Sequence, residues 1–180
     1  AVFTLNWWTG RMGRVLSPGE ALAWAQLGFL PVFARYVMVR PASGAAWALG
    51  PFTFENLREA WEAAAGEIGG FIMGVGSLFL VSVCEESWRA MMVNFCLLFK
   101  MAAVRQGRKQ GLKRLMERWG TPLAWLVGNA VWVAYHFASR PFYWPYFWWL
   151  VLCAVVFSIV MRCAGLGAAC VAHFITNAVI

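Results

Sequence analysis

Phe71-Ile72-Met73-Gly74-Val75-Gly76-Ser77-Leu78-Phe79-Leu80-Val81-Ser82-Val83-Cys84-Glu85-Glu86-Ser87-Trp88-Arg89-Ala90-Met91-Met92-Val93-Asn94-Phe95-Cys96-Leu97-Leu98-Phe99 is the stretch on which the fold turns. It is apolar from Phe71 to Val83 and again from Ala90 to Phe99. Between these runs stand two adjacent carboxylates, Glu85 and Glu86, with Arg89 close behind. The chain holds only eight acidic residues, so a neighbouring pair in such surroundings is conspicuous. A charge inside hydrocarbon costs a few kcal/mol on insertion scales, so charges in membrane helices face the bundle interior and usually serve function. Two readings stand open: a short polar loop between two spans, or a polar site within the membrane.

Composition places the surroundings in lipid. Of 180 residues, 62% are hydrophobic and 13% charged, whereas a soluble domain carries about a quarter charged residues. The apolar runs are continuous and helically spaced rather than alternating, which argues against a closed β-barrel. The expected fold is all-α: a polytopic transmembrane helical bundle of about five to six spans plus an amphipathic interfacial helix. It forms one integral membrane domain overall, with residues 1–67 supplying an N-terminal span and the interfacial helix and residues 68–180 the helical core. The formal charge of +7 is no nucleic-acid footprint. The cations sit in short segments between spans, where topology places them, so the bilayer is an expected partner and nucleic acid is not. Cys84, Cys96, Cys153, Cys163 and Cys170 lie in or beside apolar runs without a CxxC pair, and read as small buried hydrophobes. The first residues lack the order of a cleavable signal peptide.

Along the chain, residues 1–19 hold Trp7-Trp8, Arg11, Arg14 and Ser17-Pro18-Gly19, an interfacial segment leading into a helix start. Glu20 to Val39 is a first span, with Arg35 able to snorkel to the surface. Arg40-Pro41 and Gly50-Pro51 bracket a loop. Phe54, Leu57, Trp61, Ala64 and Ile68 then recur at helical spacing, with Glu55, Arg58, Glu59 and Glu62 on other faces. That is an amphipathic helix, lying at the interface or packed on a neighbour. Ile68 to Val83 is a Gly-rich span and Ser87 to Val104 the next. Residues 100–118 carry Lys100, Arg105, Arg108, Lys109, Lys113, Arg114 and Arg118 against Glu117 alone, which marks a cytoplasmic segment. Thr121-Pro122 is expected to start a helix reaching about Ala138. The aromatic stretch 142–149 reads as an interfacial belt. Trp148 to Met161 and Ala168 to Ile180 are the last spans, joined by a tight turn from Arg162 to Gly167 with two glycines.

The two histidines, His136 and His173, both fall in apolar helices. His173 and Asn177 are four apart, as are Trp132 and His136 and also Glu85 and Arg89, so each pair shares a helix face. Carboxylates, an arginine, two imidazoles and an amide on three helices suit water activation. A carboxylate takes a proton from water and an imidazole helps orient that water. An imidazole and an amide four apart can both donate to an oxyanion. Arg89 would hold the second carboxylate. Ser77, Ser82, Ser87 and Ser158 lack a GxSxG context, and the chain has no Asp for a Ser-His-Asp triad.

The order Glu85-Glu86-Ser87-Trp88-Arg89, then Trp132-Val133-Ala134-Tyr135-His136, then His173-Phe174-Ile175-Thr176-Asn177 resembles the CPBP (Abi) intramembrane proteases, which include type II CAAX prenyl proteases and bacteriocin-processing or immunity proteins. The segment Met161 to Ala169 also looks like that family's lead-in to its last motif. The resemblance covers roughly residues 68–180 and makes that stretch the catalytic core. It departs from the family at two points. Two residues rather than three separate the Glu pair from Arg89, which turns the arginine by about 100° on a regular helix. Trp132 stands where the family usually has Phe.

The resemblance implies a glutamic intramembrane endopeptidase acting on a membrane-anchored protein or peptide. It implies a multi-pass location in the cell (inner) membrane of a bacterium or archaeon. Glu85 and His136 would activate the water, His173 and Asn177 would form the oxyanion site, and Glu86, Arg89 and Trp132 would support them. No cofactor is required on this reading. The alternative is zinc held by Glu85, His136 and His173. A non-catalytic immunity or partner-binding protein on the same scaffold is the other alternative, and the shortened first motif favours it. With residues 100–118 cytoplasmic, Glu85 and His136 fall in the outer half of the membrane and His173 and Asn177 near its middle. The site is then expected to open outward, on the side of the aromatic stretch.

Overall fold

The structure, a computed structural model, describes residues 17–39, 54–106, 110–138 and 140–180. The expectations for residues 1–16, for the loop 40–53 and for Arg108 and Lys109 lie outside the described residues. Every regular element among those described is helical, as the continuous apolar runs require. Among the described residues, three helices are long and apolar enough to cross a membrane: Pro18–Met38, Ile68–Arg105 and Trp144–Val179. The chain is an all-α integral membrane protein. It divides into two compact units, Ala1–Glu86 with Phe142–Ile180, and Ser87–Pro141.

In the first unit, α1 (Pro18–Ala25) opens on a capping box: Ser17 Oγ accepts from Glu20 N–H at 3.2 Å, and Ser17 N–H donates to Glu20 Oε2 at 3.0 Å. The pairing satisfies N–H groups that a helix start leaves open. A 3₁₀ turn, Gln26–Gly28, leads into α2 (Phe29–Met38). After α3 (Glu55–Ala63) the chain reverses through Ala65 and Gly66, both at positive φ, into α4 (Ile68–Gln106). A Cβ on Gly70 would lie 2.9 Å from Ala64 Cβ, and one on Gly74 would lie 2.8 Å from Ala60 Cβ. Small residues on both helices thus let α3 close onto α4, as in membrane helix pairs that lack a hydrophobic drive. Trp61 and Phe71 seal that contact edge to face at 5.4 Å. The amphipathic helix is therefore packed on a neighbour.

The two spans expected at 68–83 and 87–104 form one helix of 39 residues. Residues 77–106 contain no Gly or Pro, and Glu and Arg are good helix formers, so nothing local interrupts the backbone. Glu85 and Glu86 lie mid-helix, not in a loop. A rise of about 1.5 Å per residue makes α4 on the order of 58 Å long, more than the roughly 40–45 Å of a whole bilayer.

α6 (Trp144–Val179) contains one residue with non-helical geometry, Gly165 at φ 88° and ψ 174°. That left-handed φ favours glycine, and the chain folds back on itself there. Phe157 and His173 stack at 4.6 Å although sixteen residues apart, a separation of about 24 Å along a straight helix. The expected turn at 162–167 is thus present as a single-residue bend between limbs 144–164 and 166–179. α1 and α2 pack on these limbs. Trp149 Nε1–H donates to Pro31 O at 2.7 Å, Thr176 Oγ–H to Gly28 O at 2.7 Å, and Gly28 lies directly against the backbone oxygen of Ala172.

The second unit pairs the later part of α4 with α5 (Gln110–Tyr135). Trp88 meets Tyr135 at 5.8 Å, Gly128 packs against Val93, and Lys100 Nζ donates to Thr121 Oγ1 at 2.8 Å, so the two run antiparallel. Thr121-Pro122 does not start a helix; Pro122 lies inside α5. Gly120 takes the Lys100 stem against its backbone, and this packing carries the helix past the bond that Pro122 cannot donate. Cys153 and Cys170 are buried as expected, whereas Cys84 is exposed.

Candidate functional site

In the first unit, Ser82, Glu85 and Glu86 occupy positions i, i+3 and i+4 of α4 and therefore one face. His173 and Asn177, i and i+4 on the second limb of α6, meet that face in antiparallel register. His173 Nδ1 lies 2.9 Å from Glu86 Oε1, and Asn177 Nδ2 donates to Ser82 Oγ at 3.2 Å. Glu86 is fully buried, so its carboxylate needs a donor, and the imidazole supplies one. With Nδ1–H donating to Glu86, the nitrogen left for chemistry is Nε2. That atom faces Glu85 Oε2 at 3.7 Å. The Glu85 side chain is 23% exposed against 5% for His173, so of the two carboxylates Glu85 is the one open to a reactant. Phe157 stacks on the ring with planes 19° apart and sets its plane.

The second unit holds the remaining motif residues. Arg89 is fully buried; its Nη1 donates to Asn129 Oδ1 at 3.2 Å and its guanidinium lies 5.8 Å from the Trp132 ring centre. Desolvation strengthens such a cation–π contact. α5 ends at Tyr135, and i→i−3 bonds carry His136 to Ala138 through a tight turn. His136 Nδ1–H donates to Trp132 O at 2.9 Å, and the two rings lie 4.3 Å apart. This bond sets the tautomer, with the hydrogen on Nδ1 and Nε2 as the acceptor nitrogen of the His136 ring.

Four participants had no role in the sequence reading. Ser82 enters the sequence analysis only as a possible nucleophile, although Ser82-x-x-Glu85-Glu86 is helical face spacing. Asn129 stands three before Trp132 and seven before His136, again on one face. Asn56 Nδ2 donates to Asn177 O at 2.6 Å across 121 positions, and Phe157 reaches His173 through the bend at Gly165. These last two contacts have no local signature.

A zinc site would take Glu85, His136 and His173 as ligands. His173 Nδ1 is committed to Glu86, and among the described residues no three His, Cys, Asp or Glu side chains group as a ligand set. No step below passes through a metal.

A family model described as type II CAAX prenyl endopeptidase Rce1-like matches residues 67–179. The match spans all three motifs, from Glu85 to Asn177. No curated protein and no solved structure matches the chain.

Proposed function

We propose that this chain, which belongs to the Rce1-like family of type II CAAX prenyl endopeptidases, hydrolyses a peptide bond of a membrane-anchored protein or peptide by glutamate-activated water. The observation that carries this reading is the line Glu86–His173–Glu85: a buried carboxylate on Nδ1, and an accessible carboxylate 3.7 Å from Nε2. That last distance is longer than a hydrogen bond and suits a water held by both groups.

In the proposed reaction Glu85 takes a proton from the water, and the water oxygen attacks the scissile carbonyl carbon. The C=O electron pair moves onto oxygen, where Asn177 Nδ2–H is the donor; His173, whose Nδ1–H goes to Glu86, accepts from the water at Nε2 and orients it. Collapse of the tetrahedral species breaks the C–N bond, and the proton held by Glu85 passes to the leaving amine. Glu86 holds the His173 ring. His136 enters on its family motif, with Nε2 as its working atom. Glu85→Gln keeps size and polarity but removes the base. In co-expression with a candidate membrane-anchored substrate, the wild type should cleave and Glu85→Gln should not; equal cleavage by both contradicts the glutamate mechanism.

A further inference from the structure

Asn177 is gripped from two directions by residues that no motif includes. On its side chain, Nδ2 donates to Ser82 Oγ at 3.2 Å. Ser82 is fully buried, and its own hydroxyl hydrogen goes to Leu78 O at 3.0 Å, one turn back on α4. A serine hydroxyl has one hydrogen to give. With that hydrogen committed to Leu78, the atom of Asn177 facing Ser82 has to be a donor, so the amide is oriented with Nδ2 toward α4 and cannot be flipped. Nδ2 carries two hydrogens, and Ser82 takes one.

On its backbone, Asn177 O accepts from Asn56 Nδ2 at 2.6 Å. The same end of α3 donates Phe54 N–H to Val179 O and Glu55 N–H to Ile180 O, both at 3.0 Å. The start of α3 thus caps the turn that carries Asn177. A helix end without partners frays, and a frayed last turn would let the carboxamide wander. Gly70 and Gly74 set α3 against α4, the helix that also carries Ser82.

We infer that Ser82 and Asn56 are positioning residues for Asn177: Ser82 fixes which way its carboxamide faces, Asn56 fixes its backbone, and together they hold the second Nδ2–H where an oxyanion forms. The inference rests on the endopeptidase reading above. A donor aimed at developing charge acts through preorganisation, so loosening it lowers turnover and leaves substrate binding largely intact.

The test uses the full chain in proteoliposomes with an internally quenched farnesylated peptide ending in a CAAX sequence. Ser82→Ala and Asn56→Ala should each lower kcat about tenfold with KM nearly unchanged. That is less than the roughly 100-fold loss expected for removing an oxyanion donor outright in Asn177→Ala. Ser82→Thr, which keeps a hydroxyl able to donate one turn back, should restore kcat. In an Asn177→Ala background, Ser82→Ala should cost nothing further. Melting temperatures in detergent give a readout independent of cleavage: the Ser82→Ala/Asn177→Ala double variant should fall by less than the two single shifts combined. Wild-type kcat in Ser82→Ala, an effect confined to KM, or full multiplicativity together with additive melting shifts overturns the inference. Cleavage retained in Glu85→Gln contradicts the glutamate mechanism alone. Failure of the wild type to cut this peptide contradicts a prenyl-peptide substrate, and the melting cycle then decides the inference by itself.

Discussion

Glu86 Oε1 and His173 Nδ1 lie 2.9 Å apart on two helices, with Glu86 fully buried and His173 4% exposed. The pairing satisfies a carboxylate that would otherwise be costly to bury, and it dictates which imidazole nitrogen faces Glu85. Two adjacent glutamates of one sequence motif thereby have different environments: Glu86 is fully buried against the His173 ring, and the Glu85 side chain is 23% exposed.

This division predicts an order of severity. Glu86→Gln keeps an acceptor for the Nδ1–H and should fold, insert and lose less cleavage than Glu85→Gln. Glu86→Ala leaves a buried donor without that acceptor and should destabilise the protein by about 1–3 kcal/mol. Chemical denaturation in detergent beside turnover measurements checks both. Glu86→Gln more damaging than Glu85→Gln would reverse the roles.

Backbone contact around the His173 limb predicts a second contrast. A Cβ at Gly28 would run into the backbone oxygen of Ala172, next to His173, whereas one at Gly76 meets nothing within 4 Å. Backbone cannot swing aside as a side chain does. Gly28→Ala should therefore cost about 1–3 kcal/mol and lower cleavage, while Gly76→Ala should be neutral or slightly stabilising. Equal melting temperatures for the two variants would contradict the packing described.

Metal removal is a third test. Strong chelators should leave cleavage intact, and elemental analysis of active protein should find no stoichiometric zinc. One zinc per active chain, with activity lost on chelation and restored by zinc, would make Glu85, His136 and His173 ligands instead.

Topology is a fourth. The basic segment 100–118 is expected on the cytoplasmic side and the aromatic stretch 142–149 outside. In a chain cleared of its native cysteines, Tyr143→Cys should label from outside intact cells and Gln110→Cys only after permeabilisation. Labelling of Gln110→Cys from outside would invert the arrangement and the outward-facing site with it.

The helical membrane class was legible because apolar runs and short charged segments are local properties. Boundaries were less so. A Glu pair reads alike in a loop and within a helix until packing supplies a partner, so α4 looked like two spans. Thr121-Pro122 looked like a helix start because sequence does not reveal that Lys100 would brace the turn before it. The bend at 162–167 was readable, since its glycines are a local signal, although only Gly165 carries it. At the site, i, i+4 spacing put His173 with Asn177 and Trp132 with His136 on shared faces. The join of Glu86 to His173 spans 87 positions and depends on register between two helices, which no local spacing encodes.

Cleavage by Glu85→Gln bears most directly on the mechanism. Wild type and variant, matched for membrane insertion, are co-expressed with a membrane-anchored substrate and the product is followed by mass. Glu85 as the base predicts a product at one defined bond in the wild type and none in Glu85→Gln. The same product at the same rate from Glu85→Gln would contradict it.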